Sequence, residues 1–156
     1  MKIRPRRFSD FWDHPRNPNY RRLEAMTRSG TVPALTLVGP HGSGKTAVAY
    51  VLGMATSCLS TDADELMPCG RCKSCYAIQA PSEKDRQRGA FIEIDGAEGK
   101  SDDRMLKEIR DAWSSTFGSK TSLWHMYDPP ANPRLPWVVL IDEAHRMSLR
   151  VKESLL

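Results

Sequence analysis

Eight consecutive residues, Gly39-Pro40-His41-Gly42-Ser43-Gly44-Lys45-Thr46, carry the spacing G-x-x-x-x-G-K-[ST], and that spacing suits a triphosphate. Glycines let the backbone curl until successive N–H groups point inward at one anion. A helix starting at the lysine adds partial positive charge at the same spot. Lys45 would hold the β- and γ-phosphates, and the Thr46 hydroxyl would ligate Mg²⁺. Far along the chain the apolar run Trp137-Val138-Val139-Leu140-Ile141 ends in Asp142-Glu143, a Walker B pattern. A strand there would carry Asp142 to its tip, where a carboxylate can hold Mg²⁺ through water, while Glu143 can orient or deprotonate the attacking water. Phosphoryl transfer needs positioning and charge more than covalent help. The catalytic candidates are therefore Lys45 and Glu143. The nucleotide-binding candidates are residues 39–46 with Asp142, and the magnesium ligands would be Thr46 and Asp142.

A second constellation is made of sulfur. Cys58, Cys69, Cys72 and Cys75 follow C-x10-C-x2-C-x2-C, with Gly70 inside the knuckle. Four thiolates close a tetrahedral shell around Zn²⁺ and leave no open position for catalysis. A structural zinc is expected, in preference to free reduced cysteines or an iron–sulfur cluster.

These groups need elements to place them. Ala34-Leu35-Thr36-Leu37-Val38 reads as a buried strand entering the glycine loop, and a helix should run from Lys45 to about Cys58. Residues 59–67 read as an acidic loop, Lys73 to Gln79 as a short helix, and residues 81–89 as a charged loop. Phe91-Ile92-Glu93-Ile94-Asp95 alternates like a second strand, and Gly96 to Lys100 is a turn. Ser101 can cap a helix with Asp102 and Asp103 in its first turn. That helix would place Met105, Leu106, Ile109, Ala112 and Trp113 on one side. Residues 118–136 read as an exposed loop, Trp137 to Ile141 as a third, fully buried strand, and Ser148 as the cap of a last helix.

Residues 1–30 are rich in arginine. Pro5, Pro15 and Pro18 keep the beginning extended, and Asn19 to Arg28 suits a helix presenting Tyr20, Leu23 and Met26, ended by Ser29-Gly30. Two readings stand side by side. The segment supports the nucleotide laterally with its basic groups near phosphate or DNA, or it is a solvated leader packed down by Phe8, Phe11 and Trp12.

A chain of 156 residues holds one domain with a real core. The net charge of +4 suits a nucleic-acid partner and an ordinary basic surface equally well. No apolar run reaches the roughly 20 residues of a membrane span, and the basic start lacks the apolar stretch of a secretory signal, so a cytoplasmic protein with no membrane partner is expected. His14 and His125 read as solvated, His41 occupies a variable loop position, and His145 would stabilise the strand exit. Trp124, Tyr127 and Trp137 read as core or loop anchors. Asp142-Glu143-Ala144-His145 also spells a helicase box, but the other helicase motifs are absent.

Taken together, a phosphate loop whose helix ends in a cysteine, a CGxCxxC knuckle, a strand reading IEID and a strand reading VVLIDEAH resemble the gamma/tau subunit of the bacterial DNA polymerase III clamp loader, an AAA+ ATPase. The resemblance covers nearly the whole chain, and the knuckle is its most specific part. It implies an α/β fold of the P-loop NTPase type: three αβα layers, a central parallel sheet ordered 5-1-4-3-2, and an inserted zinc knuckle. It also implies that Arg4-Pro5-Arg6-Arg7-Phe8 lines the adenine side of the site, which adds Arg4 and Pro5 to the nucleotide contacts. The implied cofactors are ATP, Mg²⁺ and Zn²⁺. The implied partners are other clamp-loader subunits, the sliding clamp and primer–template DNA. The family's Val-Gly-Gln is not recognisable around Trp12-Asp13-His14, and two loops are long, which points to a divergent member such as a phage-borne one.

On this reading residues 1–156 are the first part of the ATPase domain, with a basic opening segment and helix at 1–30 and a zinc insertion at 58–80. The sensor strand, the lid and the oligomerisation domain would lie beyond Leu156. A chain supplying strands 1, 2 and 3 lacks the strand between 1 and 3, so an incomplete sheet that folds poorly alone is expected. The alternatives are a non-hydrolysing ATP- and zinc-bearing stator module, or another AAA+ ATPase of DNA repair or helicase loading.

Overall fold

The computed structural model describes residues 5–13, 16–29, 34–60, 68–79, 91–117 and 138–155. The expectations for Arg4, His14, His125, Trp124, Tyr127, Trp137 and the loops at 61–67, 81–89 and 118–136 lie outside them.

Among the described residues two parallel strands form a sheet, β1 (Phe91–Asp95) and β2 (Val138–Asp142). They pair in register from Phe91 opposite Val138 to Asp95 opposite Asp142. The described residues also form five helices: α1 (Pro18–Arg28), α2 (Lys45–Thr56), α3 (Lys73–Gln79), α4 (Asp102–Phe117) and α5 (Leu149–Glu153). Single 3-10 turns occupy Phe8–Asp10 and Ala144–Arg146.

The period of two in the strands sorts their side chains onto two faces. Phe91, Val138 and Leu140 join the core under α2, with Phe8, Tyr50, Val51, Met54 and Ile78. Ile94, Val139 and Ile141 pack with Met105, Ile109, Met147 and Val151 of α4 and α5. The sheet thus separates two apolar clusters, with α2 on one side and α4 and α5 on the other. Helix starts follow local chemistry. The Asn17 side chain accepts from Asn19 N and Pro18 opens α1. Ser148 caps α5 by accepting from Val151 N. Asp102 and Asp103 sit in the first turn of α4 as expected. Met105, Leu106 and Ile109 face the second cluster; the side chains of Ala112 and Trp113 lie outside the described residues.

Three expectations need correction. Residues 34–38 form neither helix nor strand, so no buried strand leads into the glycine loop, and Val38 is 89% exposed. A strand is defined by its ladder, and none of the described strands borders this segment. β2 is half-buried along its length, not fully buried; of the described strands only β1 flanks it, so one of its edges carries no described ladder. Trp12 is 92% exposed and packs nothing down, although Phe8 is buried at 1%. Phe11 takes the second anchoring place by stacking on Tyr20 at 4.8 Å.

Candidate nucleotide site and cysteine knuckle

The glycine loop has the backbone that its composition allows. Gly42 and Gly44 have φ of 79° and 85°, a region that a side chain disfavours. Gly44 is the residue before α2, and its carbonyl accepts from Val48 N at 2.9 Å. The loop closes through Ser43 N to the Pro40 carbonyl at 3.3 Å. Lys45 bends back over it, its Nζ donating to the Gly39 and Pro40 carbonyls at 2.9 and 2.8 Å. The ammonium therefore lies along the rim of the loop, where an incoming phosphate would compete for it.

Across the sheet, the Thr46 hydroxyl donates to Asp142 Oδ2 at 3.1 Å. The other oxygen, Oδ1, accepts from Glu143 N at 2.9 Å. Glu143 is the only described non-glycine residue with positive φ, at 50°. That cost of order 1–3 kcal/mol is of the kind found where a chain turns sharply at a site. Its carboxylate lies 3.3 Å from His145 Nδ1. Both side chains are exposed.

The structure brings together residues 39–46, Asp142 and Glu143. Arg4 lies outside the described residues. Pro5 is half-buried, and the adjoining Arg6 and Arg7 border the cysteine knuckle: with Asp10, Cys69 and Gly70 they line a cavity of about 260 Å³. Phe11 is the N-terminal side chain near the loop, its Cε1 3.9 Å from where a Gly44 Cβ would stand.

Four contributors escaped the sequence reading. Asp95 sits opposite Asp142 in register and adds a third carboxylate to that end of the sheet. Gly96 donates its N–H to the Asp142 carbonyl at 2.9 Å. Tyr50 donates to Glu93 Oε2 at 2.5 Å across the helix–sheet interface. The signals were in hand: Glu93 and Asp95 share one strand face, and Tyr50 lies one turn after Thr46.

The cysteine knuckle forms at the far end of α2. The sulfurs of Cys58, Cys69, Cys72 and Cys75 all lie within 4.8 Å of one another, and no disulfide joins them. A tetrahedral zinc with four thiolates needs edges of about 3.8 Å. Cys58, Cys69 and Cys75 are buried. Backbone N–H groups already point at the sulfurs: Leu59 N and Cys75 N at Cys72 Sγ, Cys69 N at Cys58 Sγ, all at 3.5 Å, and Cys72 N at Cys69 Sγ at 3.4 Å. Such donors stabilise negative sulfur. The Cys75 thiol donating to Cys58 brings Cys58 down to about 5. The same bond, followed by burial, pushes Cys75 far up, and burial raises Cys69. Packed thiols of this kind cannot all ionise unless a cation shares the site, and an all-sulfur, closed, buried donor set fits Zn²⁺. The four cysteines would hold it, and the ion would supply a covalent tie between the end of α2 and α3.

No family model matches the chain, and no solved structure matches it. Two characterised proteins are similar to it. Protein STICHEL of Arabidopsis thaliana is 31% identical over 134 residues, which is 86% of this chain and 9% of that protein. DNA polymerase III subunit tau of Bacillus subtilis (strain 168) is 30% identical over 118 residues, 76% of this chain and 17% of that protein. The chain thus spans less than a fifth of either relative. Over that stretch the chain has a distant, clamp-loader-like AAA+ relation.

Proposed function

We propose that this chain is the nucleotide-binding part of an ATPase motor of the clamp-loader kind. ATP would lie on residues 39–46 with Lys45 on its outer phosphates. Thr46 and Asp142 would hold Mg²⁺, and Glu143 would direct the attacking water. Cys58, Cys69, Cys72 and Cys75 would carry a structural zinc. The work would be done in the cytoplasm with other loader subunits, a sliding clamp and primer–template DNA. The observation that carries this reading is the 3.1 Å bond between Thr46 and Asp142, two residues 96 positions apart. Two sequence patterns that separately suggest magnesium–nucleotide chemistry meet at one point. The similarity to a polymerase III tau subunit supports the replication context. Among the described residues no helix is long and apolar enough to cross a membrane.

The test is titration of the full-length protein with a fluorescent ATP analogue and Mg²⁺, beside Lys45→Ala. Saturable, magnesium-dependent binding that falls at least about tenfold in the variant is expected, since a charge-assisted phosphate contact is lost. An unsaturable wild-type titration would remove the ATPase reading and leave a zinc-bearing scaffold.

A further inference from the structure

Among the described residues Thr46 and Tyr50 each make a polar contact from α2 to the sheet, and the spacings of the two contacts match. Thr46 and Tyr50 are four residues apart on the helix, a rise of about 6 Å. The partners are Asp142, opposite Asp95 in register, and Glu93, two residues before Asp95. Two strand residues rise about 6.6 Å. The helix therefore meets the sheet at two points one turn apart, on one line of its surface. Two such points set both the height of α2 along the strands and its rotation about its own axis; one point sets neither. The outer point is the exposed end, where a metal would sit. The inner one is sheltered: Tyr50 is 6% exposed, and its ring lies 5.1 Å from that of the fully buried Phe91.

Once a cation enters, Thr46 gives it a lone pair and Asp142 reaches it directly or through water, so the Thr46–Asp142 contact is a poor anchor for the helix. A second polar point, together with the apolar packing of α2 against Phe91, Val138 and Leu140, keeps it in place. We infer that Tyr50 and Glu93 are positioning residues for the magnesium site: their hydrogen bond holds the height and rotation of α2 at which Thr46 and Asp142 face one cation. This rests on the ATPase reading above. The bond couples a neutral phenol to a carboxylate at the interface, the stronger class of hydrogen bond; partners that hydrogen-bond a metal's own ligands govern its affinity by about 10–100-fold, and this pair, one turn further in, is expected at the lower end.

The test uses the full-length protein and a fluorescent ATP analogue, with Mg²⁺ varied and a chelator baseline. Wild type that takes up no analogue overturns the ATPase reading itself. If wild type binds, Tyr50→Phe should raise the Mg²⁺ concentration for half-saturation by about tenfold, with the chelator-baseline affinity unchanged. Glu93→Ala should do the same, and the double variant should be no worse than either single one in the Mg²⁺ half-point, because the Tyr50–Glu93 bond is lost in all three. Glu93→Gln keeps an acceptor for the phenol and should stay near wild type. A purely structural pair would instead lower thermal stability and leave the Mg²⁺ half-point where it was. That result in either Tyr50→Phe or Glu93→Ala, or additive effects in the double variant, overturns the inference.

Discussion

Gly96→Ala puts the geometry of the acidic tip to a quantitative test. A Cβ on Gly96 would stand 3.0 Å from the carbonyl oxygens of both Asp142 and Glu143 and 2.9 Å from Met147 Cγ. The methionine can bend away, but the two carbonyls belong to the backbone. One of them already accepts the Gly96 N–H, and Glu143 is already in a left-handed conformation. Ordinary contact therefore requires the turn after β1 to move off β2 by several tenths of an ångström. Overpacking of this kind costs about 1–3 kcal/mol, and weakening the hydrogen bond adds up to about 1 kcal/mol. Lower freedom of the unfolded chain returns about 0.4–1 kcal/mol, as Gly96 has no positive φ that alanine would resist. The net loss is about 1–3 kcal/mol, a fall in Tm of about 3–9 °C for a chain of this size. Since the displaced atoms flank Asp142, magnesium-dependent nucleotide binding should weaken as well. Calorimetry and the nucleotide titration measure the two effects. A variant with wild-type Tm and wild-type magnesium dependence would refute the close approach of β1's turn to the Asp142–Glu143 peptide.

Three other outcomes follow from the packing and the charges. Gly53→Ala would set a Cβ 2.5 Å from two ring carbons of Phe91, which is fully buried; at so short a distance the overpacking cost lies at the upper end, about 3 kcal/mol, and after a helix-propensity gain of about 1 kcal/mol the variant should lose about 2 kcal/mol, part of which Phe91→Leu should relieve in chemical denaturation. Purified protein should carry one zinc per chain, and chelation or Cys75→Ser should lower Tm sharply because metal binding is coupled to folding; well under one zinc with unchanged melting would sink the metal centre. Lys100 bridges Glu108 and Glu98 at 2.5 and 2.6 Å, bonds that raise its pKa above 10.5; its contribution is therefore full below 10.5 and is lost as pH rises through the higher folded value, so stability should fall above pH 10.5 in wild type more steeply than in Lys100→Met.

Much of this protein was legible as a string of residues. The loop at 39–46, the acids at 142–143 and the four cysteines are chemical patterns at fixed spacing, and local rules then placed α3, β1 and the Ser148 cap where they stand. Each of these depends on neighbours within a few positions, so the chain carries the information directly. Pairing does not. Ala34 to Val38 has a strand's composition but no described strand beside it, and β2, as apolar as a central strand, is half-buried. Only the packed structure decided that Thr46 meets Asp142, that Tyr50 meets Glu93 one turn away, and that Gly96 leaves room for the acidic tip. Local sequence sets what a segment can form through its own backbone and nearest side chains; which distant groups share a point in space depends on how helix rise and strand rise align when the layers close.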